Sequence, residues 1–210
     1  MNNKIFYCVP TFRELSKVKL FFKSISNINY KNIEFVIVNA NGKDDSSDEI
    51  SNSLLNNKFK ITELYGLRNE MWSATLNRAL KYSLKNSSKD DFVLISNIDI
   101  EFKNDIVASL IKKSKELNNA QIGTISISNN KYISSGVKVN SWFWTLNKHP
   151  FAGLDKSTNI KEVRKVDYLP GRCFIFPINK LNEAGLINST LLPHYHADYV
   201  FPAWRKSKTK

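Results

Sequence analysis

Four short apolar runs, each separated from the next by a segment of helical periodicity, limit what this chain can fold into. The runs lie at residues 5–9, 34–38, 59–64 and 92–95, and they are rich in Val, Ile and Phe. Short runs of β-branched and aromatic residues are typical of buried strands. Buried strands that alternate with helices form βαβ units, so the sequence predicts an α/β fold with a mainly parallel sheet and helices on both faces.

Apolar residues recur at helical spacing in the segments between these runs. One stripe consists of Leu15, Val18, Phe22 and Ile25, and another of Trp72, Leu76, Ala79, Leu80 and Leu84. Further helices are predicted at about 46–56, 106–117 and 177–184, and Pro10 is expected to end the first strand. Beyond residue 105 the alternation weakens, although residues 172–176 again predict a strand. We therefore expect a single domain over residues 1–210 whose second half is less regular.

The ends of the predicted strands indicate where a site should be. Residues 10–12, 39–45, 66–69 and 97–101 follow the four strands and carry most of the polar, turn-forming residues of the first half. In open α/β sheets, ligands bind beyond the carboxyl ends of the strands. The sequence therefore predicts a binding site along that edge.

Charge and composition suggest possible partners. Lysine and arginine outnumber aspartate and glutamate by 31 to 19, which gives a formal net charge of +12. A basic protein attracts nucleic acid, anionic membranes or phosphorylated substrates. The alternative is that lysine is simply the usual surface residue of this chain, since only Arg205, Lys206, Lys208 and Lys210 form a tight cluster. That cluster is a candidate for weak attraction to a membrane surface.

Hydropathy predicts a cytoplasmic protein, and the spacing of the cysteines predicts core residues. No run approaches the roughly 18 apolar residues of a membrane-spanning helix, and the start of the chain lacks the apolar core of a signal peptide. Cys8 and Cys173 lie in separate apolar runs without metal-ligand spacing. Both are therefore interpreted as core residues.

The motifs of the common nucleotide-binding folds are missing from the sequence. No Gly-x-Gly-x-x-Gly follows the first strand, and no Gly-x-x-x-x-Gly-Lys-Ser/Thr loop occurs. Instead, the acidic residues Asp99 and Glu101 follow the fourth strand. A carboxylate there can hold Mg²⁺ or Mn²⁺, which takes its remaining ligands from substrate phosphates and water. The alternative is a pair of solvated loop carboxylates.

A second polar cluster lies near the end of the chain, where Asp198 stands close to His194 and His196. The aromatic neighbours would restrict water, and an aspartate in such a setting can act as a general base. The alternative is an aspartate that caps the start of a helix. Two histidines alone do not make a metal site.

Five segments in the same order resemble the family 2 glycosyltransferases, which have a GT-A fold, and within them the rhamnosyltransferase-like branch of bacterial surface-polysaccharide synthesis. The segments are residues 9–12, 38–46, 66–77 and 95–102, followed by the pair 169–172 and 192–199. Residues 95–102 (Ile-Ser-Asn-Ile-Asp-Ile-Glu-Phe) resemble the metal-binding motif of that family. Residues 192–199 are similar to the segment that carries its catalytic aspartate.

The resemblance implies an inverting transfer of a sugar from a UDP- or dTDP-sugar to a glycan or lipid-linked glycan acceptor. Asp99 would hold Mn²⁺ or Mg²⁺, and Asp198 would remove the proton of the acceptor hydroxyl. The residues implied to contact the donor are Pro10, Thr11, Phe12, Asn39, Asn77, Asn97 and Asp99, and those on the acceptor side are Arg172, His194 and His196. For Asn77, ordinary structural hydrogen bonds are an equal alternative.

The resemblance also implies an organisation and a location. Residues 1–102 would form the half that binds the nucleotide sugar, and residues 103–210 the half that binds the acceptor. Because such glycans are commonly assembled on lipid carriers, a peripheral contact with the inner face of the plasma membrane is expected, to which the basic cluster at 205–210 would contribute.

Three departures from the family pattern keep alternatives open. Asn39 stands where the family has an aspartate that accepts the N3–H of uracil or thymine, although an amide oxygen can also accept that bond. Ile98 replaces the middle acid of the metal motif, and the chain ends soon after Asp198, where relatives usually continue. A truncated chain and a catalytically impaired domain that binds nucleotide or glycan are the alternatives. Nucleic-acid binding is not expected, because no recognisable module is present.

Overall fold

The computed structural model describes residues 3–53, 58–102, 105–139, 147–160, 163–194 and 197. In these residues the strands are β1 (Ile5–Thr11), β2 (Ile33–Asn39), β3 (Lys60–Tyr65), β4 (Phe92–Ser96), β5 (Ile122–Gly123), β6 (Ser126–Ser128), β7 (Lys131–Ser134), β8 (Lys138–Val139), β9 (Asn147–Lys148) and β10 (Cys173–Pro177). The helices are α1 (Leu15–Ile25), α2 (Asp45–Asn52), α3 (Trp72–Asn86), α4 (Val107–Glu116) and α5 (Ile178–Ala184).

Six strands form one sheet in the order β3-β2-β1-β4-β10-β5, which confirms the predicted mainly parallel arrangement. β1 runs parallel to β2 and β4, and β2 runs parallel to β3. β10 is antiparallel to both β4 and β5. The carboxyl ends of the four parallel strands therefore meet at one edge of the sheet, where the amino end of β10 joins them.

Successive side chains of a strand point to opposite faces of the sheet, and here both faces are apolar. Helices therefore cover both faces. On one face, the rings of Tyr7 and Phe35 stack with their centroids 5.0 Å apart, in a cluster shared with α1, α2 and α4. On the other face, Phe6, Phe174 and Phe176 belong to a cluster shared with α3 and α5. The two apolar layers hold the sheet between the helices, as the sequence predicts.

The first strand does not end at Pro10, as predicted from the sequence, but continues to Thr11. The pairing of β1 with β4 stops at Cys8 and Ile95, whereas its pairing with β2 continues to Thr11 and Asn39. Beyond Cys8, β1 pairs with β2 alone, so the missing N–H of Pro10 interrupts no second ladder. A proline is therefore tolerated within this inner strand.

Helix α2 begins one residue earlier than predicted and is shorter than the expected 46–56. Asp44 caps its start, because the Asp44 carboxylate accepts the Ser46 amide at 2.9 Å while the Ser47 hydroxyl accepts the Asp44 amide at 3.3 Å. The helix ends at Asn52, since Ser53 already has an extended conformation with φ −61° and ψ 131°.

A buried carboxylate, Glu34, ties the amino ends of the strands together. It pairs with Lys4 at 2.6 Å and with Lys60 at 3.0 Å, and it accepts hydrogen bonds from Thr62 at 2.7 Å and from Tyr82 at 2.6 Å. Burial alone would raise the pKa of Glu34, but the hydrogen bonds from these four partners outweigh burial and lower the pKa to about 2. The ionised carboxylate therefore links the residue before β1 to β2, β3 and α3, at the edge away from the predicted site.

Both cysteines are free and buried, which agrees with their interpretation as core residues. Burial raises the pKa of the Cys8 thiol to about 12 and that of the Cys173 thiol to about 12. Because the thiolate is the reactive form, neither cysteine is set up as a nucleophile.

Candidate functional site

Main-chain hydrogen bonds lock the carboxyl ends of β1, β2 and β3 together. Thr11, Asn39 and Tyr65 lie in register across the three strands. The Ala40 amide donates to the Thr11 carbonyl at 2.9 Å, and the Gly66 amide donates to the Asn39 carbonyl at 2.8 Å. A Cβ atom at Gly66 would lie 2.9 Å from the Ala40 Cα, so this close approach requires glycine. Main-chain hydrogen bonds and this close backbone approach therefore fix the edge of the sheet that is predicted to carry the site.

The three residues predicted to contact the base at the end of β1 have different exposures. Pro10 is buried, and Thr11 is also buried, with an Oγ1 that has no hydrogen-bond partner among the described atoms. Phe12 is 52% exposed, and the Arg13 guanidinium lies 5.5 Å from its ring centroid. The exposed Phe12 ring is accessible for stacking on a nucleobase, whereas the Thr11 hydroxyl lies below the surface.

Asn39 is fully buried, and its amide is already bonded on both sides. Its Nδ2 donates to the Asp44 carboxylate at 2.6 Å, and its Oδ1 accepts the Asn41 amide at 3.2 Å. These bonds tie the end of β2 to the cap of α2. Because the amide oxygen has a second lone pair, the base contact predicted for Asn39 stays a prediction, but the contacts present in the structure are structural.

The end of β4 sends alternate side chains in opposite directions. Ile98 is buried in the apolar cluster under α1 and α4. Asn97 and Asp99, on either side of it in the sequence, both line a polar cavity. The Trp72 indole at the start of α3 donates to the Asn97 Oδ1 at 3.1 Å and fixes that amide. The replacement of an acid by Ile98 therefore fills the core and leaves Asp99 as the carboxylate that faces the cavity.

Arg172 reaches the same cavity because β10 runs antiparallel to β4. Cys173, the first residue of β10, pairs with Ser96, the last residue of β4. The residue before Cys173 and the residues after Ser96 consequently lie at the same edge of the sheet. The structure thus brings Asn97 and Asp99, which were predicted to contact the donor, together with Arg172, which was predicted on the acceptor side.

The cavity has a volume of about 260 Å³ and a mainly polar lining. This is below the roughly 300–1,000 Å³ of pockets that enclose a whole small-molecule ligand, so it has room for only part of a nucleotide sugar. The lining residues are Asn97, Asp99, Ile133, Ser134, His149, Pro170 and Arg172.

Ser134 and His149 were not predicted from the sequence. Ser134 is buried, and its hydroxyl has no hydrogen-bond partner among the described atoms. Leaving such a group unpaired costs about 1–3 kcal/mol, so the position is prepared for a ligand or a water molecule. His149 accepts the Ser135 amide at its Nδ1, at 3.5 Å. Both residues lie in the irregular half of the chain, where apolar periodicity carries no information about them.

Asn77 holds the chain segment that leads to the predicted catalytic region. Its Nδ2 donates to the Ile187 carbonyl at 2.8 Å, and its Oδ1 accepts the Ile187 amide at 3.0 Å. One turn earlier on α3, Ser73 donates its amide to the Pro193 carbonyl at 3.1 Å and its hydroxyl to the Leu192 carbonyl. The structure therefore shows the structural hydrogen bonds that were the alternative for Asn77, and contact with the donor stays a prediction.

The remaining predicted residues lie near the end of the described chain. His194 is exposed, immediately after the segment that α3 holds. Ala197 is fully buried, in the cluster between the sheet and α3. His196 and Asp198, as well as the basic cluster at 205–210, lie outside the described residues, so their roles stay predictions.

A divalent cation at this site would rely on Asp99. In the part of the chain that the structure describes, no group of three or more His, Cys, Asp or Glu side chains could hold a metal ion. Asp99 is exposed and lines the polar cavity, whereas Glu101 is exposed but does not line it. In nucleotide sites Mg²⁺ usually takes one or two protein carboxylates together with substrate phosphates and water, so a single carboxylate on an open polar cavity fits such an ion.

A mainly parallel sheet between two layers of helices, with a polar cavity at its carboxyl edge, defines an α/β domain of the GT-A type. The sequence model described as "Glycosyl transferase family 2" matches residues 7–176, which is most of the chain. The chain therefore belongs to glycosyltransferase family 2. No curated protein matches its sequence significantly.

Solved structures with the same fold include two proteins of low sequence identity. The mannosyltransferase PcManGT from Pyrobaculum calidifontis, in complex with GDP-Man and Mn²⁺, aligns with a TM-score of 0.64 and 12% identity, over 90% of this chain and 48% of that one. Staphylococcus aureus TarS 1–349 in complex with UDP aligns with a TM-score of 0.64 and 16% identity, over 95% of this chain and 54% of that one. The chain thus spans about half the length of these two solved chains.

Proposed function

We propose that this protein transfers a sugar, with inversion, from a UDP- or dTDP-sugar to a glycan or lipid-linked glycan acceptor in surface-polysaccharide synthesis. The observation that carries the proposal is the meeting of Asn97, Asp99 and Arg172 at one polar cavity beyond the carboxyl ends of the strands. Membership of family 2 supports sugar transfer, and the resemblance to the rhamnosyltransferase-like branch supports inversion and the acceptor class. Similar folds solved with UDP, UDP-GlcNAc or GDP-Man support a nucleotide-sugar donor.

The donor would lie along the carboxyl edge of the sheet. The backbone of residues 10–12 would orient the base, and Phe12 would stack on it, since that ring is exposed. Asn97 would contact the donor from the cavity, next to Asp99. When bound at Asp99, Mn²⁺ or Mg²⁺ supplies positive charge that stabilises the leaving diphosphate.

The acceptor would enter from the side of residues 103–210. Asp198 would take the proton of the acceptor hydroxyl while that oxygen forms a bond to the anomeric carbon. The bond from this carbon to the diphosphate breaks on the opposite side, so the configuration inverts. Arg172, His194 and His196 would position the acceptor. A second cavity, of about 630 Å³ and lined within residues 117–169, supports placing an acceptor in this half.

The location of the protein also stays a proposal. In the described part of the chain, no helix has the length and apolar character needed to cross a membrane. We propose a cytoplasmic protein that contacts the inner face of the plasma membrane peripherally, with the four basic residues at 205–210 contributing weak, salt-sensitive attraction.

A thermal-shift screen tests the proposed function. The purified protein is heated with UDP, dTDP or GDP, or with their sugars, in the presence of Mn²⁺ or of EDTA. A ligand that binds only the folded state raises the melting temperature according to its affinity. We expect UDP or dTDP to raise it in the presence of Mn²⁺. If none of these nucleotides does so, the proposed function is contradicted.

A second candidate is a domain that binds nucleotide or glycan but has lost transfer. It is favoured by the structural hydrogen bonds that the Asn39 amide makes to Asp44 and Asn41, and by Ile98, which occupies the core instead of adding a carboxylate to the cavity. Release of free nucleoside diphosphate from a donor, measured with an acceptor mixture and Mn²⁺, separates the two candidates. Binding without any turnover would favour the second.

A further inference from the structure

Two walls of different origin meet at the polar cavity. Asn97 and Asp99 follow β4, and Arg172 precedes β10, so this wall belongs to the central sheet. Ser134 ends β7, and His149 follows β9, so the second wall belongs to the irregular half. The proposed function assigns roles to the first wall only.

Specific hydrogen bonds hold the second wall in place. The Tyr132 amide donates to the Leu154 carbonyl at 2.9 Å, and the Gly153 amide donates to the Tyr132 carbonyl at 2.8 Å. The Phe151 amide donates to the Ser135 hydroxyl at 3.1 Å. The segment around His149 therefore returns along β7 and is fixed beside Ser134 by main-chain contacts as well as by its own side chain.

The hydrogen-bonding state of His149 follows from its partner. The Ser135 amide can only donate, so the Nδ1 atom that accepts it carries no proton. In the neutral imidazole the proton is then on Nε2, which makes Nε2 a donor. This ring lines the cavity, and its Nε2–H is the donor left for a group bound there.

Ser134 adds a group that both donates and accepts. It is 2% exposed, and its Oγ is one of the few buried side-chain atoms without a hydrogen-bond partner among the described residues. A hydroxyl can donate one hydrogen bond and accept two. Together with the carboxylate of Asp99, the amide of Asn97 and the guanidinium of Arg172, the cavity offers donors and acceptors around a small volume.

Sugar hydroxyls match this lining better than other parts of a nucleotide sugar do. Each hydroxyl donates and accepts, as the mixed lining requires, whereas a nucleobase needs a flat face to stack on and a diphosphate offers acceptors only. A volume of about 260 Å³ is also too small for the whole donor.

We propose that Ser134 and His149 hydrogen-bond the hydroxyl groups of the transferred sugar and thereby determine which donor sugar the site accepts. This inference rests on the proposed function. The cavity is lined by Asp99, at which the donor diphosphate is proposed to lie, and by Arg172, which is proposed to position the acceptor. We assign the donor sugar because it is covalently bonded to that diphosphate, and a titration without acceptor separates the two sugars. A site that hydrogen-bonds a substrate hydroxyl discriminates against analogues that present it differently, because the buried polar groups of the site are then left unpaired.

Calorimetric binding without any acceptor tests this proposal and excludes an acceptor sugar as the source of the effect. UDP, UDP-glucose and UDP-galactose, and in parallel dTDP, dTDP-glucose and dTDP-rhamnose, are titrated in Mn²⁺ into the wild-type protein and into Ser134→Ala and His149→Asn. The asparagine keeps an acceptor for the Ser135 amide but removes the Nε2 donor. Ser128→Ala, on the exposed side of the same hairpin, is the matched control.

Ser134→Ala and His149→Asn should each bind UDP or dTDP within about twofold of the wild type. Each should lose about 3- to 10-fold in affinity for the preferred sugar nucleotide, which is the usual effect of one hydrogen bond. The preference between sugars should shrink accordingly, and Ser128→Ala should change neither quantity. Suppose that the wild-type protein binds a diphosphate but both variants keep its preference between sugars, or lose affinity for the diphosphate and for the sugar nucleotide equally. Either result overturns this inference and leaves the proposed function standing. If the wild-type protein binds no nucleotide, the proposed function fails and takes this inference with it.

Discussion

The Asn77 side chain and the Ile187 main chain form a two-bond clamp, in which Nδ2 donates to the carbonyl at 2.8 Å and Oδ1 accepts the amide at 3.0 Å. A neighbouring β-strand pairs with the N–H and C=O groups of a residue through the same two kinds of hydrogen bond. The clamp fixes the start of the segment that runs to His194 and on towards Asp198. Helix α3, in the first half of the chain, thus positions a segment near the end of the described chain.

Removing the clamp should therefore reduce stability. Asn77→Ala leaves both polar groups of the Ile187 main chain unpaired, and we expect it to lower the free energy of unfolding by about 1–3 kcal/mol. Asn86, on the same helix, bonds only the Tyr82 carbonyl at an exposed position, so Asn86→Ala is the control and should have little effect. Urea denaturation measures both values. If Asn77→Ala is as stable as the wild type but binds UDP or dTDP more weakly, the donor role predicted from the sequence is correct instead.

The network around Glu34 should make stability depend on pH. Its pKa is about 2 in the folded protein and would be near 4.5 in an unfolded chain, so the unfolded state binds more protons between these values. The stabilisation from Glu34 is thus complete above about pH 4.5 and is lost as the pH falls towards 2. Glu34→Gln should cost roughly 2–4 kcal/mol at neutral pH and progressively less in acid.

Chemical denaturation of the wild type, Glu34→Gln and Glu49→Gln between pH 7 and pH 2 checks this dependence. Glu49 is a partly exposed carboxylate on α2, 3.8 Å from Lys19, and removing its charge should change stability by less than about 1 kcal/mol. A difference between wild type and Glu34→Gln that does not shrink in acid would refute the assigned pKa. Because Glu34 is at the amino edge of the sheet, nucleotide affinity at neutral pH should be unchanged.

The general-base assignment can be tested by Asp198→Asn. This variant is nearly isosteric but cannot accept a proton, so it should bind donor normally and transfer sugar about 10²- to 10⁴-fold more slowly. Donor affinity by calorimetry and the rate of nucleoside diphosphate release are the two measurements. Asp155→Asn, at an exposed turn, is the control. Near-normal turnover in Asp198→Asn would assign the base to another group, and His196 is then the next candidate.

The sequence predicted the sheet and the position of Asp99 because both depend on local pattern. Buried parallel strands are continuous apolar runs, and the residue after such a run lies at the carboxyl edge wherever the strands are placed. The place of Arg172 beside Asp99 could not be predicted, because it depends on β10 running antiparallel to β4. The prediction that residues 172–176 form a strand does not say whether that strand runs parallel or antiparallel to its neighbour.

The contributions of Ser134, His149 and Asn39 could not be predicted for a different reason. Ser134 and His149 are positioned by hydrogen bonds between β7 and an irregular segment, which leave no periodic pattern. The role of Asn39 was inferred from the family resemblance, and the structure adds that its amide is bonded to Asp44 and Asn41. Such pairing between side chains depends on the folded loop and cannot be predicted from the spacing of residues along the sequence.

The central claim is that Asp99 forms the cation-dependent diphosphate site, and calorimetry of UDP and dTDP in Mn²⁺ and in EDTA tests it most directly. Glu101→Gln is the matched control, because Glu101 is an exposed acid two residues further on that does not line the cavity. We predict that the wild type and Glu101→Gln bind more tightly in Mn²⁺ than in EDTA, and that Asp99→Asn, with an unchanged melting temperature, loses this difference. A folded Asp99→Asn variant that keeps the full Mn²⁺-dependent affinity would contradict the account.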